Sequence, residues 1–553
     1  MKSKEKVIKR VFFVMLMIVF AFVTLSGLMG GEKVLAVAKE TLVVATPELP
    51  PTINSEAGLT AFGNQLYTAL GESLLYYPYE KEPSQTNKDY KVIDYDPAEL
   101  EYGLAERYEI SQDGRTITFY LRKGVKNLYG NEFTAKDIIW KWEKGLRMGT
   151  LSEFTSGVLD FSGIEAFKVI DDYTFSLTAD KPNPLLSVLH AIYTLTGVID
   201  STEAKKHETE NDVDGMNYLS RNVPSYGPYH ITEWVSGQQA VFEADPNYYK
   251  GIPEIKKVII KVIPESSSRL AMIRDGSIDV ALRLTPREID SLKGTPGVRV
   301  ITEKGLWFAH LIMNDLVVEP FKNKLVRQAV NFAIDRDKII KMAYYGMAEP
   351  MMTTYQMQFP GALDSKEFPY QYDIEKAKKL MVEAGYPDGF SVDLYYETGV
   401  IPHETACVII REDLSKIGIN VTLRKTPIGT LYTLLNTAEA SFVYWRESPF
   451  VADPYYATNL MYLNGPATGG TGWCNFTGFN NAEVNKMIMD GKTITDKNER
   501  YNHYYELQRL ILELAPIGFV VQEGYLVAIN DKIEGWNINI GEGCRFSELK
   551  FRE

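Results

Sequence analysis

Two parallel strands can be joined only by a long crossover, and the stretch from Asp373 to Leu423 reads as one, which commits this chain to an α/β fold. Asp373 caps a helix whose apolar face is Ala377, Leu380, Met381 and Ala384. Gly385 stops that helix and Pro387 follows just beyond. Val392, Leu394 and Tyr396 then alternate as a strand, a helix runs from about Glu404 to Lys416, and a second strand spans Ile419 to Leu423. A right-handed parallel crossover is expected, with any ligand at the carboxyl ends of the strands.

Other segments give the same kind of local reading. Thr41 to Thr46 suits a buried first strand. Asp113-Gly114 divides two alternating runs as a hairpin turn does, with Thr116, Thr118 and Tyr120 opposite Ile117, Phe119 and Leu121. Thr134 and Asp137 form a capping box ahead of a helix. Val258 to Val262 is a strand, and Arg269 to Arg274 is helical before Gly276. From Val326, the residues Ala329, Val330, Ala333 and Ile334 line one helix face; Asp335 then caps a second helix that Gly346 closes.

The chain has 553 residues, more than one core organises, so two or more lobes are expected. Lys2, Lys4, Lys6, Lys9 and Arg10 precede an apolar run from Val11 to Leu25, and Ala36-Val37-Ala38 offers a small-x-small cleavage pattern. Residues 1–38 therefore read as a secretion signal, or as a membrane anchor if they are not cleaved. Their removal takes six bases and two acids, leaving 53 bases against 70 acids, a net charge of −17. That charge disfavours a nucleic-acid partner and adhesion to anionic lipid. Only Cys407, Cys474 and Cys544 are present, an odd count that leaves at least one thiol free; Cys407 reads as buried and inert.

Several blocks resemble one family. VRQAVNFAIDRDKIIKMAYYG from Val326 to Gly346, LAERYEISQDGRTITFYLRKGV from Leu104, SYGPYHITEW from Ser225, ADPNYYKGIPEIKKVIIKVIP from Ala244 and RYNHYYELQRLILELAP from Arg500 are similar to segments of the oligopeptide- and dipeptide-binding class of extracytoplasmic solute-binding proteins of ABC importers. The resemblance implies an α/β, two-lobed periplasmic-binding-protein fold with a hinge and an additional third domain. It divides the chain into a discontinuous first lobe (39–76, 197–300 and 521–553), an additional domain (77–196) and a second lobe (301–520). It further implies a periplasmic or extracytoplasmic monomer that delivers its ligand to a membrane permease, with no cofactor and no catalytic step. Lipidated relatives carry a cysteine just after the leader, and this chain has none there.

Signatures of chemistry are weak. His403-Glu404-Thr405-Ala406-Cys407 begins like a zinc helix but lacks the second histidine, and the glycines from Gly465 to Gly472 lack the Lys-Ser or Lys-Thr of a phosphate loop, so no metal site is assigned. The ligand segment is SFVYWRESPFVADPYYATNL, from Ser441. It resembles the stretch in which peptide-binding relatives place an Asp against the peptide ammonium; here Trp445 and Asp453-Pro454 are kept, two extra residues intervene, and Ser448 stands where that Asp would be. Glu447 is adjacent and able to replace it. Otherwise a neutral oligosaccharide fits best, stacked on Trp445, Trp473, Trp307 and Tyr444, with Arg446 and Glu447 as the charged candidates; on the altered Asp position alone an oligosaccharide is slightly preferred to a peptide. The sequence also leaves open a secreted hydrolase and a ligand-sensing receptor subunit.

Overall fold

The structure is a computed structural model that describes residues 39–54, 56, 61–78, 99–149, 151–191, 197–448, 451–472, 474–538 and 543–552. The leader assigned to residues 1–38 lies outside the described residues, as does Trp473. Among the described residues no helix is long and apolar enough to cross a membrane.

One large sheet organises the unit Glu40–Arg552. Its strands are β1 (Thr41–Thr46), β2 (Tyr229–Val235), β3 (Gln239–Ala244), β4 (Lys257–Val262), β5 (Val280–Leu282), β6 (Val298–Met313), β7 (Ala348–Pro350), β8 (Phe390–Glu397), β9 (Ile419–Thr426), β10 (Phe442–Glu447) and β11 (Ile517–Asn530). They lie in the order β9-β8-β10-β6-β11-β5-β1-β4-β3-β2, with β7 added to β11. β8 runs parallel to both β9 and β10, and β1 parallel to β4 and β5; β6 and β11 are antiparallel to each other.

Two strands serve both halves of this sheet. β6 has 16 residues and β11 has 14, long for strands, and their pairing is continuous from Val298↔Asn530 to Lys304↔Gly524. It then breaks, and resumes at Phe308↔Gln522. A two-lobed fold is expected to hinge at such a break. A Cβ on Gly305 would fall 2.2 Å from the Glu523 carbonyl oxygen, and one on Gly524 would fall 2.2 Å from that of Met347, so both strands need glycine where they cross. Gln358 Nε2 and Gln522 Nε2 each donate to the Gly305 carbonyl at 2.9 Å, and Gln356 Nε2 donates to that of Leu306. Buried carbonyls that lose their ladder partners at the bulge are thereby satisfied.

The additional domain is built on a four-stranded antiparallel sheet ordered Ala105–Ile110, Thr116–Leu121, Thr174–Thr178, Phe167–Asp171. Its first hairpin turns at Asp113-Gly114 as expected, with Gly114 at φ +67° and Ile110 opposite Ile117. Thr134 and Asp137 form the expected capping box on the helix Ala135–Met148.

We name the helices that bear on the site α1 (Ala61–Leu70), α2 (Ala135–Met148), α3 (Lys324–Ala333), α4 (Arg336–Ala343), α5 (Ile374–Glu383), α6 (Ile401–Ser415), α7 (Ile428–Asn436) and α8 (Lys497–Leu514). Asp335 and Asp373 cap α4 and α5 by accepting from Lys338 N and Lys376 N, and Gly346 and Gly385 adopt positive φ. α6 begins three residues before the expected Glu404, because Pro402 occupies its first turn without needing a donor. The strand after it extends to Thr426, past the expected Leu423, since pairing to β8 continues through Glu397↔Thr426. All three cysteines are buried thiols outside any disulfide.

The polar residues of the α3–α4 unit dock it to β11. Asn331 Oδ1 accepts from Phe519 N at 2.9 Å while its Nδ2 donates to Ile517 O at 2.9 Å, so the side chain acts as a further strand. Arg336 Nε donates to Phe519 O at 2.8 Å, and Arg327 Nη2 donates to Leu514 O, at the end of α8 just before β11, at 2.8 Å. Gly305→Ala and Gly524→Ala are expected to destabilise the chain by about 1–3 kcal/mol through overpacking at the crossing. Gly157→Ala, in a helix with nothing near its Cβ, should be neutral or stabilising. Urea unfolding midpoints check this: an unchanged midpoint for both hinge variants would contradict the tight crossing.

Candidate functional site

The carboxyl ends of the parallel strands β8, β9 and β10 are Glu397, Thr426 and Glu447, and the helices α6 and α7 start a few residues after β8 and β9. β6 presents Phe308 opposite Glu447, one residue from Trp307 and the hinge. Ligand is expected at such an edge, and it adjoins the hinge between the lobes.

β10 sends successive side chains to opposite faces. On one face Tyr444 and Arg446 converge on Glu523 of β11. Tyr344 OH donates to Glu523 Oε1 at 2.8 Å and lies 3.1 Å from Tyr444 OH. His403 Nε2, on the first turn of α6, is 3.0 Å from the same carboxylate oxygen. Arg446 Nη1 is 3.6 Å from Glu523 Oε2, and its guanidinium sits 4.9 Å above the Trp307 ring. Burial would raise the Glu523 carboxyl, but the hydrogen bond and charge of His403, the charge of Arg446 and the Tyr344 hydroxyl outweigh it and lower it to about 2.

The other face is acidic and aromatic. Trp445 Nε1 donates to Glu447 Oε2 at 3.2 Å, Cys474 Sγ donates to the same oxygen at 3.1 Å, and Ser448 N donates to Oε1 at 3.1 Å. Burial raises the Glu447 carboxyl, with these three donors and Arg446 opposing it. Trp445 is 6% exposed and packs on Leu431 and Leu435, with Tyr432 at 5.1 Å and 81° and Phe476 at 6.1 Å and 80°.

Of the six residues singled out in the sequence, the structure therefore gathers Tyr444, Arg446 and Trp307 around one carboxylate and pairs Trp445 with Glu447; Trp473 lies outside the described residues. Tyr444 is fully buried and hydrogen-bonded, so it is a strut and not a stacking platform. Asp453 is also structural: it caps the helix Pro454–Tyr462 and holds Arg500 in a two-pronged pair at 2.5 and 2.9 Å. The sequence reading missed Glu523, Tyr344 and Tyr432, and weighed His403 only as a metal ligand. Its place just after the carboxyl end of a strand was the available signal. Among the described residues no group of three His, Cys, Asp or Glu side chains could hold a metal.

Residues 99–469 match the family described as bacterial extracellular solute-binding proteins, family 5 Middle. The chain belongs to this family. It is an extracytoplasmic solute-binding protein of the class that serves ABC importers. It is 27% identical to heme-binding protein A of Haemophilus influenzae over 466 residues, 79% of this chain and 82% of that protein. It is 24% identical to an oligopeptide-binding protein of Bacillus subtilis, over 86% of this chain and 89% of that protein. An ABC transporter-associated periplasmic binding protein of Helicobacter pylori, solved in complex with the peptide STSA, superposes with a TM-score of 0.78 at 23% identity, covering 93% and 99% of the two chains. These relatives are named as binding proteins.

Glu523 has a folded value below the ~4.3 of an unfolded glutamate, so its stabilisation is present above pH ~4.3 and is lost as pH falls towards about 2. We expect the wild type to lose about 3 kcal/mol across that window and Glu523→Gln to show a flatter acid limb. Urea titrations at pH 2.5, 4 and 6 test this, and parallel pH profiles would remove Glu523 as the cause.

Proposed function

We propose that this family 5 protein captures a short peptide between its lobes, with Glu447 opposite the peptide ammonium. The observation that carries the reading is the half-buried Glu447 carboxylate at the carboxyl end of β10, beside Ser448, where peptide-binding relatives are expected to place an Asp. An ammonium drawn from water into a closed cleft needs an opposing charge, and Glu447 supplies it. Arg446, half-buried on the neighbouring position, is the counterpart for the ligand's carboxylate, with Trp307 stacked beneath it. The peptide-binding relatives named above support this choice.

The oligosaccharide reading rests on Ser448 alone. A sugar platform needs an open ring face, and Trp445 has its ring enclosed by Tyr432, Phe476 and two leucines.

The wider assignments belong to the same proposal. Residues 1–38 direct export; 39–76, 197–300 and 521–553 form the first lobe, 77–196 the additional domain and 301–520 the second lobe. The protein acts as a monomer, and ligand favours the closed form by touching both lobes, which a membrane permease then recognises. The two long strands, with their break at Gly305, support a bend at that point.

A thermal-shift screen against mixed di- to pentapeptides and cello-, manno- and xylo-oligosaccharides tests the ligand class. A peptide at ~100 times its dissociation constant should add about 2.7 kcal/mol, and Glu447→Gln should weaken that peptide about tenfold or more. Stabilisation by a sugar with none by peptides would sink the peptide reading.

A further inference from the structure

Where α2 meets Ile53, Asn54 and Glu56, five ionisable side chains lie together out of solvent or at its edge. Lys141 Nζ is 3.4 Å from Glu56 Oε1, and Glu56 also accepts from Ser152 N at 3.2 Å and Ser152 Oγ at 2.6 Å. Gly145 permits this approach, since a Cβ there would fall 2.1 Å from Ser152 Oγ and 2.9 Å from Glu56 Oε1. Further along the same helix, Arg147 pairs with Asp214. Each of these two carboxylates is thus matched by one cation.

Lys144 is the cation left over. It is 2% exposed, its ammonium lies 5.2 Å from the Trp140 ring, and among the described residues it has neither a carboxylate partner nor a hydrogen-bond acceptor. It lines a cavity of about 20 Å³ together with Asn54, Lys141, Asn222 and Glu56, the last a carboxylate whose charge Lys141 offsets. A volume of ~10–15 Å³ is enough for one water-sized particle, so the space admits a single small ion and excludes sulfate or phosphate. Asn54 Nδ2 donates one hydrogen to Met216 Sδ at 3.3 Å and Asn222 Nδ2 donates one to Tyr218 O at 3.0 Å, which leaves each amide a second hydrogen.

We propose that this cavity is an anion site that takes one chloride-sized monovalent anion, held by the Lys144 ammonium and the spare amide hydrogens of Asn54 and Asn222. A buried ammonium without a counter-ion is costly, and the anion removes that cost while tying α2 to the segments around Asn54 and Asn222. The electrostatics agree: burial pulls Lys144 down to about 8, with Lys141 and Arg147 adding to the fall and Glu56 and Asp214 opposing it. At neutral pH the lysine remains mostly charged, so the site keeps one unmatched positive charge. The inference is independent of the peptide reading, because it concerns a different part of the chain.

The test is thermal unfolding of the full chain at pH 7 in sodium chloride, sodium bromide and sodium gluconate at equal ionic strength. The wild type is expected to gain melting temperature saturably with either halide over gluconate, and Lys144→Met to lose that dependence. Halide dependence that persists in Lys144→Met would overturn the site. Should that variant fail to fold, bromide diffraction from wild-type crystals decides: an anomalous peak within hydrogen-bond distance of Lys144 Nζ supports the proposal, and none there refutes it. A second readout is the alkaline limb. With a lowered folded value, Lys144 costs stability as pH falls from about 10.5 to about 8, and bound halide should shrink that loss. An identical limb with and without halide would refute halide binding at Lys144.

Discussion

The carbonyls of Gly305 and Leu306, held by the amides of Gln356, Gln358 and Gln522, are what the rest of the structure depends on. A strand ladder satisfies its own backbone only while its register holds. Where β6 and β11 lose register, a bare break would leave buried acceptors without donors. Three glutamines replace the missing ladder with side-chain donors. Two glycines, Gly305 and Gly524, let the backbones approach where any side chain would collide with a carbonyl.

The site follows from that break together with the alternation of β10. Glu523 lies beside Gly524, so the strand that crosses the hinge also carries the carboxylate on which Tyr344, His403 and Arg446 converge. The opposite face of β10 is left with Trp445 and Glu447. A single residue of register therefore separates the Glu523 network, reached by Tyr444 and Arg446, from the Glu447 carboxylate on the other face of the strand.

Local features were legible in the sequence because their causes are local. A cap such as Asp373, a turn such as Asp113-Gly114 and a capping box such as Thr134 with Asp137 are each decided within a few residues, and the structure contains all three. The strand from Val392 to Tyr396 and the burial of Cys407 follow from periodicity in the same way. Of the site, the segment Tyr444–Glu447 could be singled out because it sits in a family-like block. Its partners could not: Glu523 lies 120 residues from His403 and 179 from Tyr344, and nothing near Glu523 in the chain distinguishes it from a solvated glutamate. The role of Arg327, Asn331 and Arg336 was hidden for the same reason. The helix pattern showed which residues are apolar, while the polar ones dock the unit by reaching carbonyls at the end of α8 and along β11, far along the chain.

The alternation along β10 also bears on how such a protein diversifies. Positions 445 and 447 project away from the Glu523 network, so on the proposed reading changes there alter the ligand edge and leave that network intact, whereas a change at 444 or 446 disturbs it. Selection for a new ligand can act on one side of a single strand while selection for folding acts on the other. A fold arranged in this way can keep its mechanics and exchange its chemistry.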